Sequence, residues 1–192
     1  MFYLASRSPR RVQLLKSIGL VFHVLALDVV EGVYESETPE RTVARLAREK
    51  AAAGMFMLRR DGLATHPVVA ADTIVVDGDR ILGKPSCAGQ ARDMLERLSG
   101  RTHRVLTAVA LHAGASVQIR TSESLVTMKT LACSEIERYW ATGEPRDKAG
   151  GYAIQGIGGG FVERLEGSYS GVVGLPLFET RELLESAGIS WL

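Results

Sequence analysis

Apolar residues along this chain recur at two periods, and each change of period marks an element. Val12, Leu15 and Ile18 return at three-residue steps after Ser8 and Pro9, an N-cap residue and a proline suited to the first helical position. Gly19 stands where the C-terminal cap falls. This predicts a helix entered directly from a short buried strand, "FYLA". "VFHVLAL" (21–27) reads as a second strand, followed by the polar stretch "DVVEGVYESE". Thr38, Pro39 and Glu40 then open a long helix to Leu58. "HPVVAADTIVVDGDRILGKP" (66–85) predicts a hairpin around Asp77-Gly78-Asp79. A helix over 88–98, ended by Ser99-Gly100, precedes a longer hairpin, "THRVLTAVALHAG" and "SVQIRTSESLVTMKTL", turning at Gly114. A helix over 134–141 stops at Gly143-Glu144-Pro145. The glycine-rich segment that follows is expected to hold one strand, 160–165, between loops, and a last helix runs from Pro176 to Ser186. Strand–helix units mixed with hairpins imply an α/β fold with a mixed, twisted sheet flanked by helices.

Residues that break the pattern carry the candidate chemistry. Arg10 and Arg11 follow Pro9, where the helix dipole and free N–H groups favour negative charge. One reading is a solvated basic face. The other is an anion supplied from outside: a helix start binds phosphate through its N–H groups, and guanidinium adds bidentate bonds. Ser6, at the end of the first strand, could add a hydroxyl donor. On this reading either arginine can be removed from the ligand-free protein with a neutral or slightly stabilising effect. Lys50 shares a stripe with Val43, Leu46 and Ala47 on the long helix, so its ammonium either snorkels to solvent or enters a cleft. Lys84 ends a hairpin strand. Asp72 lies on one face of an otherwise apolar central strand with Val68, Ala70, Ile74 and Val76. A carboxylate there needs a partner or a metal, which makes it either half of a structural pair or a catalytic base or Mg²⁺ ligand. Glu31 and Glu35, in the polar stretch, could complete an oxygen-rich metal site. The four histidines have no ligand spacing and read as structural or exposed. The glycines of 156–160 match neither a Walker A loop nor a dinucleotide fingerprint, and read as a loop allowing backbone to approach a ligand.

Composition narrows the class. A chain of 192 residues, 46% hydrophobic and 23% charged, suits one domain spanning 1–192. A net charge of +1 gives no overall field for nucleic acid or an anionic membrane, so any anion preference is local. Cys87 and Cys133 form no CxxC pair, which argues against zinc and for a reduced, cytoplasmic setting. No signal peptide or membrane-spanning run is expected. The residues alone point to phosphate-ester or nucleotide chemistry.

"LASRSPRRVQLL", "LAREKA", "VVAADTIVV", "GKP", "LSGRTHRVLTAVAL" and the run 147–177, "DKAGGYAIQGIGGGFVERLEGSYSGVVGLPL", stand in the order seen in Maf proteins. The chain resembles that family over nearly its whole length. The resemblance implies a fold like that of inosine triphosphate pyrophosphatases, with a cleft between two lobes. It also implies a cytoplasmic, usually homodimeric enzyme that uses Mg²⁺ or Mn²⁺ to cleave a nucleoside triphosphate between its α- and β-phosphates. By motif position Asp72 is the expected proton acceptor. Ser6, Arg10, Arg11, Lys50 and Lys84 match phosphate-side residues, and Glu31 an acidic residue near the metal, with Asp72 as base, metal ligand or both. Arg10, Thr73 and Gln155 match positions linked to base selection. "YAIQG" resembles the branch acting on dTTP and UTP. A 7-methyl-GTP pyrophosphatase and a non-catalytic nucleotide-binding regulator are the alternatives.

Overall fold

The computed structural model describes residues 1–191 apart from 28, 30, 31, 33 and 35. Its sheet grows from the two hairpins. β3 (Val68–Asp77) pairs antiparallel with β5 (Thr102–Ala113), β5 with β6 (Ser116–Met128), and β6 with β7 (Val162–Glu166). β1 (Tyr3–Ala5) lies parallel to β3, and β2 (His23–Leu25) parallel to β1, giving the order β2-β1-β3-β5-β6-β7. β4 (Arg80–Leu82) folds back on the last residues of β3.

One face is covered by α2 (Pro39–Arg60), opened by Thr38, whose hydroxyl accepts from the Arg41 N–H. Its buried stripe, Val43, Ala47, Ala51, Met55 and Leu58, packs on the even-numbered residues Val68, Ala70, Ile74 and Val76 of β3. The approach is closest at Gly54, where a Cβ would stand 2.7 Å from Val68 Cγ1 and 3.1 Å from the Ala5 methyl. Only glycine lets the helix lie this near the sheet.

The opposite face carries two separate clusters. α1 (Pro9–Ser17) and α6 (Leu177–Ser186) set Leu15, Leu183 and Leu184 against Val69, Ala71, Val109 and Leu111. α3 (Ala88–Leu98) and α4 (Cys133–Ala141) set Leu95, Leu98, Ile136 and Tyr139 against Val75, Val105 and Val126. Between the clusters stand Thr73 and Thr107, directly paired across β3 and β5. The odd face of β3 thus reads apolar, Thr73, apolar, and a cleft opens between the two lobes at the polar position. The edge of β3 is interrupted at the same level. β1 pairs with Val68 and Val69, β4 with Val75 to Asp77, and among the described residues no strand covers 70–74 on that side.

The element order agrees with the hydrophobic pattern, with three differences. The second strand is three residues long and not 21–27, because it is a short edge strand whose His23 and Val24 face solvent. α2 runs on to Arg60. The glycine-rich segment holds its one strand at Val162–Glu166 and not 160–165, with 3₁₀ turns over Ala149–Gly151 and Ile157–Phe161 before it and a short helix α5 (Tyr169–Val173) after it. The α5 start is capped by Ser168, whose hydroxyl accepts from the Gly171 N–H at 3.0 Å. Five residues with a central glycine are too few to show a helical period. No helix among the described residues is long and apolar enough to cross a membrane.

Candidate active site

The β1–α1 connection forms one wall of the cleft. Ser6 is buried, and its Oγ accepts from the Ser8 N–H at 3.1 Å, which fixes the turn into α1 and leaves the hydroxyl proton for another acceptor. The first turn of α1 has no acidic residue, and Ser8 makes no side-chain cap, an arrangement suited to an external anion. The cleft has a volume of about 780 Å³, within the usual range for small-molecule sites. Ser6, Arg10, Arg11, Lys50, Asp72, Thr73, Lys84 and Gln155 all line it, together with Arg7 and Lys148. Every expected site residue that can be described therefore borders one space. Glu31 and Glu35 lie outside the described residues.

Lys50 and Asp72, drawn from α2 and β3, meet in the lining of the cleft. Lys50 Nζ donates to Asp72 Oδ1 at 2.5 Å, and the two side chains are 13% and 7% exposed. The ammonium offsets the cost of burying a carboxylate in an apolar strand. Asp72 thus has the structural partner that its position requires, and the partner leaves it at the cleft surface.

The two arginines differ. Arg11 Nε donates to the Gly174 carbonyl at 2.7 Å, and its Nη2 donates to Thr73 Oγ1 at 3.3 Å. Thr107 Oγ1 stands 3.0 Å from Thr73 Oγ1 and 2.7 Å from the Gly171 carbonyl. Arg11 consequently ties α1 to the end of α5 and to the polar gap in the sheet. These tertiary hydrogen bonds, which no local pattern reveals, predict that removing Arg11 destabilises the free protein, where helix-dipole repulsion alone predicts a neutral effect. Thr73 is drawn into the same network, its oxygen already engaged by Arg11 and Thr107. Arg10 is half-buried; burial lowers its guanidinium pKa, opposed by Asp147.

Lys148 was not singled out by the sequence pattern. Burial holds its amine below the usual lysine range, reinforced by Arg10 and Lys84 and opposed by Asp147 and Glu144. Three cations thus crowd one wall, a repulsion that a bound polyphosphate would relieve. Lys148 sits on an irregular loop with no periodicity to mark it; its only signal was its place in the run 147–177.

Gln155 is exposed, on the loop between the two 3₁₀ turns. Two of the glycines beside it are required by packing within the protein. At Gly156 a Cβ would stand within 3 Å of the Glu144 carboxylate, and at Gly158 within 3 Å of the Tyr139 hydroxyl. They let the loop close on Tyr139 of α4 and on Glu144 just beyond it. The histidines form no common site: buried His103 contacts the Tyr152 hydroxyl at 2.8 Å through Nε2, and burial lowers its pKa to about 4. Both cysteines are free and exposed.

Among the described residues no group of three His, Cys, Asp or Glu side chains could cage a metal. Mg²⁺ is commonly held by one or two carboxylates plus the substrate's phosphates, and Asp72 in a cation-lined cleft fits that donor set.

A family model described as Maf-like protein matches residues 1–187. A protein from Alkalilimnicola ehrlichii named dTTP/UTP pyrophosphatase is 53% identical over 98% of this chain and 94% of its own length. Relatives of the same name from Aromatoleum aromaticum and Pseudoalteromonas atlantica are 51% and 49% identical, over 97% and 99% of this chain and 95% and 98% of their own lengths. Among solved structures, the Staphylococcus aureus Ham1 protein overlaps with a TM-score of 0.46 at 15% identity, over 66% of this chain and 71% of that one.

Proposed function

The chain belongs to the Maf family, and we propose that it hydrolyses dTTP and UTP to the nucleoside monophosphate and pyrophosphate. The reading rests above all on one observation: the cleft lined by Arg10, Lys84 and Lys148 is also lined by the Lys50–Asp72 pair. It is supported by full-length relatives at about half identity whose names state this activity.

Arg10, Lys84 and Lys148 bind the triphosphate through charge, Arg11 adds the edge of its guanidinium, and the Ser6 hydroxyl donates to a phosphate oxygen. Asp72 accepts a proton from the water that attacks the α-phosphorus. The bond to the bridging oxygen breaks, and pyrophosphate leaves with that oxygen and the bonding electron pair. Lys50 holds the Asp72 carboxylate in place. Asp72 and, as the family resemblance implies, Glu31 would hold a divalent cation, Mg²⁺ or Mn²⁺, which would neutralise charge developing on pyrophosphate. Gln155, with a donor and an acceptor on one amide, pairs with the O4 and N3–H edge of uracil or thymine. Action on free nucleotides in the cytoplasm, as a homodimer, completes the reading. The even charge balance and free cysteines support the setting, and sedimentation velocity tests the dimer.

The deciding experiment is pyrophosphate release over a panel of normal and modified triphosphates, with and without chelator. dTTP and UTP are expected to lead, and activity to vanish on chelation and return with Mg²⁺ or Mn²⁺. A purine triphosphate as best substrate, or release of orthophosphate, overturns the reading.

A further inference from the structure

The loop that carries Gln155 is fastened on both sides of that residue by two side chains outside the cleft lining. Tyr139, on the buried face of α4, accepts from the Ala153 N–H at 3.1 Å and donates from its hydroxyl to Glu144 Oε1 at 2.8 Å. Glu144 in turn accepts from the Gly158 N–H through Oε1 at 2.9 Å and from the Ile157 N–H through Oε2 at 3.0 Å. The chain from Ala153 to Gly158 is therefore tied at its start to Tyr139 and at its end to Glu144. Gln155 lies between them, two residues from Ala153 and two from Ile157. The glycines agree with this arrangement: Gly156, at φ 152°, has no room for a side chain beside the carboxylate.

We infer that the Tyr139–Glu144 pair is the positioning device for base selection, holding the Gln155 amide at the height and angle where it meets a nucleobase edge. This rests on the reading of Gln155 given above. Tyr139 and Glu144 do not themselves touch the nucleotide; they act through the loop. The physical reason is entropy. An exposed glutamine on a glycine-rich loop samples many orientations, and an amide discriminates between bases only if its donor and acceptor are fixed in space. Three hydrogen bonds, two of them to a carboxylate, restrict the backbone on either side and leave only the side-chain rotamers to be ordered on binding. Burial disfavours the ionised form of Glu144, but the two N–H bonds, the Tyr139 hydroxyl and Lys148 outweigh it, so the acceptor is ionised at neutral pH.

The test is Glu144→Gln. Oε1 and Oε2 face different backbone N–H groups, so whichever way the new amide turns, its NH₂ opposes one donor. The readout is the ratio of kcat/KM for the base preferred by the wild type to that for the least preferred. Glu144→Gln is expected to reduce this ratio about threefold to tenfold, the equivalent of one neutral hydrogen bond. In a Gln155→Ala background the same change should leave the ratio unaltered, because the clamp then has no amide to position. Tyr139→Phe removes both bonds of the hydroxyl with little change of volume and is expected to reduce the ratio in the same direction, a second route should Glu144→Gln fold poorly. An equal loss on all bases, or a reduced ratio that persists in the Gln155→Ala background, overturns the inference. A wild type that prefers a purine defeats the dTTP/UTP reading and leaves this test standing, since the ratio is defined by whichever base the wild type prefers.

Discussion

Lys50 Nζ and Asp72 Oδ1 are 2.5 Å apart, one projecting from the apolar stripe of α2 and the other from an apolar strand. Each residue is anomalous in its own element, and each is the explanation of the other. The pair also borders the cleft, so a structural contact and a reacting group coincide in one carboxylate. Asp72→Asn separates the two roles. The amide oxygen can still accept from Lys50 but no longer serves as a base, and pyrophosphate release is expected to fall about 10²–10⁴-fold. Weakening a buried charge-assisted bond should also lower stability, by about 1–3 kcal/mol in a denaturant titration. The fold is expected to survive the change. Near wild-type turnover would remove Asp72 from the chemistry.

Arg10 and Arg11 should separate in a thermal melt. Arg11→Ala leaves the Gly174 carbonyl without its 2.7 Å donor and loosens α1 from α5, so the free protein is expected to lose about 1–3 kcal/mol. Arg10→Ala relieves cation crowding against Lys148 and should change the free protein by less than about 0.5 kcal/mol. It should nevertheless weaken triphosphate binding by about 1.5–3 kcal/mol, measured by calorimetry with a non-hydrolysable analogue. Equal destabilisation by both changes would contradict the structural distinction.

Gln155→Ala should lower kcat/KM for dTTP and UTP by about 0.5–1.5 kcal/mol in transition-state terms, and affect ATP and GTP less. Steady-state kinetics on the four nucleotides measures the narrowing. A uniform loss would mean that Gln155 does not read the base.

His103 sets a pH dependence of stability. Its pKa is about 4 in the fold, lowered by burial, against about 6.5 when unfolded. Between these values the unfolded chain binds more protons, so stability falls as pH drops from about 6.5 to about 4, by about 3 kcal/mol in all. His103→Gln cannot titrate there and should flatten this part of the profile. Urea titrations at half-unit pH steps compare the two, and an unchanged slope in the variant would assign the effect to other groups.

The sequence by itself determined the elements whose side chains repeat. α2, α3, the two hairpins and the start of α1 follow from period, caps and turn residues, since these depend on neighbours a few positions away. It also exposed Asp72, because a carboxylate stands out in an apolar strand whatever surrounds it. The β2 limits, α5 and the 3₁₀ turns were hidden, being too short for a period or fixed by contacts with distant residues. Only tertiary structure could decide that Asp72 faces Lys50, that Arg11 is bonded to Gly174 while Arg10 is not, and that the glycines near Gln155 yield to Tyr139 and Glu144. Those pairings join residues far apart in the chain, and the energy of a hydrogen bond depends on the distance between its atoms, which a linear pattern does not record.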